Sequence, residues 1–437
     1  MRSSLRIILL FSIVAMLYQS CDSTLNIDKP KDFYKYIGLD GNQTAVDLVT
    51  DADGNAYILG SSTIASETQL GQQLYVVMTN PNGEVVWSKI YGDNGDDVPK
   101  DIEMLSDGTL VILADRSDGE FAVYHLDRAS GLELAPFLVS GLEKLLSLPA
   151  GTSDDHANSI TQTDDGFIVA GYVNQGTYKT ALIARYYADM TSYPNSWEYQ
   201  VKLFDDAAGY NVVPIKVVQK DANTFAIFGY TNVPGTDATA DNNYFIVSTG
   251  STDVAITPLW SFEADTIAHS DDRLVSVQQV PVQSGGGFIL TGYTSSRNGS
   301  TQDIFITRVT QDFTSAKSRN DVLQGRPKTI TSNLSSLSAA SLSLCSSSFS
   351  GFYVLANQGV AGDNNLYLTK LGSDLSNAWG DDAPGKILGG VGDDMGGAVA
   401  ETADGRILVV GTMVLGDLKG QRKIVLMNLN SDGLFGN

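Results

Sequence analysis

The sequence predicts an all-β fold: a seven-bladed β-propeller of four-stranded antiparallel blades, with the last blade closed by the N-terminal strand. Three observations predict it. Charged residues are 18% of the 437 positions, below the roughly 25% of an ordinary soluble domain, and glycine, at 43 residues, exceeds its average share of roughly 7%. Such a chain, rich also in Thr, Val, Ile and Tyr, suits short strands joined by tight turns. A short motif recurs seven times, and one strand too many at the start matches one strand too few at the end.

The recurring motif is an apolar run closed by a small residue and followed by a polar loop. It reads Tyr57-Ile58-Leu59-Gly60, Val111-Ile112-Leu113-Ala114, Ile168-Val169-Ala170-Gly171 and Ala226-Ile227-Phe228-Gly229. It continues as Ile289-Leu290-Thr291-Gly292, Tyr353-Val354-Leu355-Ala356 and Val409-Val410-Gly411. Successive small residues lie 54, 57, 58, 63, 64 and 55 positions apart, each interval the length of one propeller blade.

Each copy has the same grammar. A first strand, such as Ala45 to Thr50, meets a tight turn, such as Asp53-Gly54, Asp107-Gly108, Asp165-Gly166 or Asp404-Gly405. These pairs supply the positive φ that a two-residue hairpin requires. The motif itself is the second strand. A longer polar loop leads to a third strand, such as Leu74 to Met78 or Ile424 to Asn428, and a further turn to a fourth, such as Val86 to Tyr91, Trp197 to Phe204 or Lys386 to Leu388. Residues 141–150 are expected to form a short helical insertion.

After the seventh third strand the sequence reaches Phe435-Gly436-Asn437 with no fourth strand. Before the first copy, Phe33-Tyr34-Lys35-Tyr36-Ile37-Gly38 resembles the fourth strand Trp87-Ser88-Lys89-Ile90-Tyr91-Gly92. The N-terminal strand therefore completes the last blade and removes the open edge that a row of sheets would leave.

The opening residues read as an export signal. Arg2 and Arg6 precede an apolar stretch from Ile7 to Leu17, too short to span a bilayer as a helix, which runs into Ser20-Cys21. The boundaries are a signal peptide over 1–20, a polar tether over 21–32 and the propeller over 33–437. The leader resembles a bacterial lipoprotein signal, in which the cysteine (here Cys21) is acylated and becomes the new N-terminus. It departs from the usual pattern in having Tyr18 three residues before the cysteine, with Leu17 one position earlier. The repeat, with its Trp-x-Lys-x-Tyr-Gly, Asp-Asp, Asp-Gly and Gly-Tyr-Thr landmarks, resembles the degenerate propeller repeats of Bacteroidota lipoproteins over about residues 33–433. That resemblance implies a palmitate-bearing envelope protein at the outer membrane, and leaves activity open because function sits in sites rather than folds. Cys345, the other cysteine, excludes a disulfide framework and lies in an apolar, Ser-rich run suited to a buried thiol.

Charge narrows the partners. The net charge is −22, and removing Arg2 and Arg6 with the leader makes it two units more negative. Such a chain repels a phosphate backbone, so nucleic acid is excluded as a partner. In a four-stranded blade the 2→3 and 4→1 connections share one face. The long 2→3 loops Ser61 to Gln72, Thr231 to Asn242, Thr294 to Thr301 and Thr412 to Gln421 make this the expected ligand face.

The 4→1 connections on that face carry Asp96-Asp97, Asp154-Asp155, Asp205-Asp206, Asp271-Asp272 and Asp393-Asp394. Two readings stand. A ring of carboxylates would focus negative potential on a cationic ligand, Ca2+ being the metal such loops would take. Alternatively, each Asp accepts backbone N–H bonds where the chain turns into the next blade. Asp51-Ala52-Asp53-Gly54-Asn55 likewise reads as a hairpin turn or a faint calcium loop, without the distant Glu of an EF-hand. Trp87, Trp197, Trp260 and Trp379 recur near the fourth strand, as inter-sheet packing or as sugar platforms.

No nucleophile elbow, P-loop or metal-ligand histidine spacing is present; His125, His156 and His269 occupy different places in their repeats. The expectation is a monomeric, non-enzymatic envelope lipoprotein without a cofactor, binding a glycan or an envelope protein. The alternative is a polysaccharide hydrolase or lyase, since two of the many carboxylates could converge.

Overall fold

The computed structural model describes residues 32–436 apart from 64–70, 93, 120, 135–154, 188–209, 222–223, 233–242, 251–259, 263–270, 296–301, 314–327, 331–335, 345–350, 361–362, 381–384 and 417–419. The described chain is all-β, arranged as small antiparallel sheets taken in sequence order.

The first strand, β1 (Phe33–Ile37), stands apart from its neighbours in sequence. One sheet is formed by β2 (Gln43–Thr50), β3 (Ala56–Ser62), β4 (Gln73–Thr79) and β5 (Val85–Tyr91), and the next by β6 (Val98–Met104), β7 (Leu110–Asp115) and β8 (Phe121–Leu126). Then come β9 (Asp155–Gln162), β10 (Gly166–Gln175) and β11 (Tyr178–Tyr187), followed by β12 (Val212–Asp221), β13 (Thr224–Thr231), β14 (Asn243–Gly250) and β15 (Trp260–Phe262). Two more four-stranded sheets are β16 (Arg273–Gln279), β17 (Phe288–Thr294), β18 (Asp303–Val309), β19 (Lys328–Ile330) and β20 (Ser336–Leu344), β21 (Gly351–Val360), β22 (Asp363–Gly372), β23 (Lys386–Leu388). In the last sheet β24 (Met395–Glu401), β25 (Ile407–Leu415) and β26 (Gln421–Leu429) are joined by β1, with Phe33 opposite Asn428 and Ile37 opposite Ile424.

The expected helical insertion over 141–150 and the strand Trp197 to Phe204 lie outside the described residues, as do Cys21 and Cys345. So do parts of all four long loops.

The small residues that mark the repeat have a single cause. In every sheet the register between first and second strand slips by one residue at the same place. Ala45 pairs with Gly60 and Asp47 with Leu59, leaving Val46 as the extra residue of a β-bulge. Pro99, Ala157, Pro214, Leu274, Ala339 and Gly396 hold the position of Ala45, opposite Ala114, Gly171, Gly229, Gly292, Ala356 and Gly411. A Cβ at Gly60, Gly171, Gly229 or Gly292 would run into a first-strand carbonyl, that of Thr44, His156, Val213 or Arg273. The bulge bends each first strand and brings its carbonyl over the second.

The core is divided among the spaces between sheets. Each consecutive pair of sheets encloses one apolar cluster. Tyr57, Leu59 and Leu74 meet Ile102, Leu110 and Ile112, and Phe228 and Tyr244 meet Leu274 and Phe288. Another cluster joins the last sheet to the first: Phe33, Ile37, Ala398 and Ile424 pack on Leu48, Ile58 and Tyr75. The first strand of each sheet lies beside that of the next, and β24 lies beside β2.

Two tryptophans fasten neighbouring sheets. Trp87, on β5, covers Gly131 and donates from Nε1 to the Arg128 carbonyl (3.0 Å) in the turn after β8. Trp379, in the connection before β23, covers Gly433 and donates to Ser431 O (3.2 Å) in the turn after β26. Phe33 covers Gly83 in the turn after β4 in the same way. Trp260 lies on β15, and Trp197 is outside the described residues.

Candidate functional site

First strands from six sheets, β2, β6, β9, β12, β16 and β24, surround one cavity of about 570 Å³. Its lining includes Asp47, Asp101, Glu103, Lys216 and Ser159. Asp47, Asp101, Ser159 and Lys216 occupy the same register position, just past the bulge, on four successive strands.

These side chains bridge one first strand to the next. Asp47 Oδ2 accepts from Ile102 N (3.3 Å), Asp101 Oδ2 from Ile160 N (2.9 Å) and Glu103 Oε2 from Gln162 N (3.1 Å). Asn158 Nδ2 donates to Pro214 O (2.7 Å). Lys216 reaches back, its Nζ 3.3 Å from Asp101 Oδ2 and 3.2 Å from Ile160 O. Bulged first strands fan away from one another and cannot form a continuous ladder, so side chains satisfy backbone groups that would otherwise lack a partner.

Crowding three carboxylates around one ammonium shifts their protonation. Burial, and next the Asp101 carboxylate, raise the Asp47 pKa well above the ordinary value. Burial raises that of Glu103 from 4.5 to about 7, with Lys216 pulling it down and Asp101 pushing it up. Burial works against the Lys216 charge, but Asp101, Glu103 and Asp47 outweigh it and raise its pKa.

At one end of the sheets, 2→3 and 4→1 connections are tied to each other. Thr63 N donates to Asn42 O (2.9 Å), Asp97 N to Gln72 O (2.7 Å) and Asp394 N to Asn364 O (2.8 Å). The acidic pairs lie here. Asp97, Asp272 and Asp394 are buried. Asp394 Oδ2 accepts from Gly390 N (2.7 Å) and Oδ1 from Val414 N (3.0 Å). The outer members face neighbours: Asp96 accepts from Gln72 N (2.7 Å), Asp271 pairs with Arg273 (3.0 Å), and Asp393 binds Asn364 (2.6 Å) and Arg422 (3.4 Å). Asp155 begins β9; Asp154, Asp205, Asp206 and His269 lie outside the described residues. In the opposite-face turn, Asp51 Oδ1 accepts from Asp53 N (3.0 Å) and Asn55 N (2.9 Å), and Gly54 takes φ 82°.

His125 bonds Thr109 Oγ1 (2.7 Å), whereas His156 Nδ1 lies 2.8 Å from Asp115. Asp115 also holds Lys100 (2.9 Å) and the backbone N of Ala157 (2.9 Å), a second bridge between the β6–β8 and β9–β11 sheets. Among the described residues no group of three or more His, Cys, Asp or Glu is arranged to hold a metal ion.

Asp47, Asp101, Glu103 and Lys216 were not singled out by the sequence reading. For three of them the signal is a charge between apolar neighbours in the first strand, as in Val46-Asp47-Leu48, Ile102-Glu103-Met104 and Ile215-Lys216-Val217.

No family model matches the chain, and no curated protein does. Among solved structures it is similar to the extracellular domains 1–2 of Drosophila semaphorin 1a, at 9% identity and a TM-score of 0.49, covering 92% of this chain and 88% of that one. It is also similar to the α-L-arabinofuranosidase Arb93A from Fusarium graminearum, at 9% identity and a TM-score of 0.41, covering 93% and 99%. Puromycin hydrolase follows at 7% identity and a TM-score of 0.47, covering 87% of this chain and 53% of that one.

Proposed function

We propose that this chain is an envelope-anchored, non-enzymatic binding lipoprotein on a closed seven-bladed propeller, recognising a glycan or a protein partner with its long-loop face. Closure is supported by the cyclic order of the apolar clusters, by β1 completing the last sheet, and by β24 lying beside β2. Anchoring through acylated Cys21 is supported by the leader, in which Arg2 and Arg6 precede the apolar stretch Ile7 to Leu17 and Ser20-Cys21. Asp32 is held by Arg406, in the tight turn after β24, and by the backbone N of Gly436. Asp32 therefore lies on the face opposite the long loops, and an anchor at Cys21 would leave those loops directed away from the lipid.

The observation that carries the binding reading is the bridging of the cavity wall. Its carboxylates are occupied in joining strands, which makes the cavity a rigid polar core and leaves recognition to the loops around its mouth. The test is a glycan array probed with the full chain, combined with assay of reducing-sugar release from the glycans it retains. Retention without release is the expected result; turnover would overturn it.

Turnover is the outcome of the second reading, a polysaccharide hydrolase, which one observation favours. Asp47 and Asp101 interact directly, and Glu103 sits near pH 7 where a general acid is most useful. Release abolished by both Asp101→Asn and Glu103→Gln would establish that reading.

A further inference from the structure

We propose that the outer edge of the last sheet, beside the point where residue 32 enters, is a seat for the lipid surface, so that the anchored propeller rests on its membrane in one orientation. The proposal rests on the reading of Cys21 as an acylated anchor.

A groove of about 530 Å³ runs between β23 and the last sheet, lined by Tyr34, Ile387, Leu388, Met427, Leu434 and Phe435. Its walls are apolar yet open to solvent: Ile387 is 63% exposed, Leu434 49% and Phe435 45%. The Tyr34 ring meets Tyr36 at 5.0 Å, itself half exposed, and Phe435 at 6.2 Å, so the rings form one patch. Contiguous apolar surface rimmed by polar residues is characteristic of an interaction site.

The occupant follows from the chain's attachment. Cys21 precedes Asp32 by eleven residues. Fully extended, these reach at most about 40 Å. Asp32 is fastened to Gly436 N, next to Phe435, and Tyr34 is two residues further on. The anchored chain therefore emerges at the groove, and a bilayer is held within reach of it. Tyr and Phe suit the headgroup region, where an aromatic body sits in an apolar layer beside a wet one. Lys386 lines the groove and Lys35 separates the two tyrosines along β1, so cationic side chains stand beside the patch together with Asp32 and Asp394. Acyl chains on a flexible tether hold the protein near the bilayer without fixing its orientation, and added apolar contacts at the patch would set it.

Hydroxyl-radical footprinting read by mass spectrometry tests this on the full chain. The acylated protein on phosphatidylcholine vesicles is compared with the Cys21→Ser protein free in solution. Oxidation of Tyr34, Tyr36 and Phe435 is expected to fall several-fold on vesicles, while Val391 and Val98, exposed at the long-loop end, stay unchanged. In the Ile387→Glu/Phe435→Glu variant, flotation with vesicles should persist through the lipid and protection of Tyr34 should be lost. Flotation without protection of the rings overturns the proposal and leaves the anchor intact. Protection that appears in the Cys21→Ser protein on concentration alone means a second copy covers the patch, and also overturns it. A chain that carries no acyl group and does not float removes the anchor reading, and this proposal with it.

Discussion

The wall of the central cavity joins neighbouring strands in two different ways. From β2 to β12 the residues past the bulge are Asp47, Asp101, Ser159 and Lys216, and charged side chains cross from strand to strand. On β24 the wall is Gly397, Val399, Ala400 and Glu401, and at Gly397 the backbones of β24 and β2 come together. A Cβ on Gly397 would lie 3.0 Å from Ala45 Cβ and 3.1 Å from its carbonyl carbon. Across this seam Ala45 N is satisfied by the neutral Thr412 Oγ1 (2.9 Å), and on the other side of β24 Gly396 N is satisfied by the neutral Asn357 Oδ1 of β21 (2.7 Å). The shared bulge geometry thus permits two kinds of seam. One is made of small residues at van der Waals distance, the other of long polar side chains spanning a wider gap.

The charged seam should be the easier to break. Lys216 is the cation that compensates Asp101 and lies within the field of Glu103 and Asp47. Lys216→Met keeps most of the side-chain volume and leaves those carboxylates without their ammonium. Removing one partner of a largely buried pair costs about 3 kcal/mol. Urea unfolding should show that loss as a lower midpoint with an unchanged slope, and an unaltered midpoint would mean that the charges are solvated rather than structural.

The close seam should yield less, and by a different mechanism. Gly397→Val places a branched side chain where Ala45 already sits, an overpacking cost of about 2 kcal/mol. The penalty should be independent of salt, because no charge is involved, whereas that of Lys216→Met should shrink as salt screens what remains of the field. Equal salt dependence in the two variants would erase the distinction between the seams.

The sequence made the scaffold shared by both seams readable and hid the chemistry of the charged one. The line from Gly60 to Gly411 stands out because small residues recur every 54 to 64 positions. The reason they must be small, a first-strand carbonyl pressed over them, is a property of the paired register and is invisible in one strand. Doubled aspartates drew attention to the loops, where Asp394 turns out to hold the backbone N–H groups of Gly390 and Val414. Single charges such as Asp47 and Lys216 match the polar half of ordinary strand alternation and carry no motif of their own. Two facts absent from local sequence bring them together: the bulge, which puts them at one register position, and the packing of each first strand on the next. Asp32 and its hold on Arg406 were equally hidden, since nothing near residue 32 signals a partner 374 positions away.

The finest test of the charged seam is its pH response. Glu103 has its folded pKa raised from 4.5 to about 7 by burial, so between those values the folded state binds a proton that the unfolded state has released. Its contribution to stability is complete below the lower value and is lost as pH rises through the upper one. The raised Asp47 works with the same sign, whereas Asp107, whose pKa is lowered by hydrogen bonds from Thr109, gains stability as pH rises through a more acidic window. Only the Glu103 part is removed by Glu103→Gln, which keeps the acceptor for Gln162 N. The difference between variant and native unfolding midpoints should therefore grow in favour of the variant from about pH 5 to about pH 8 and then level off. Parallel curves would show that Glu103 ionises in the folded chain as freely as in water, and that the charged seam is wet.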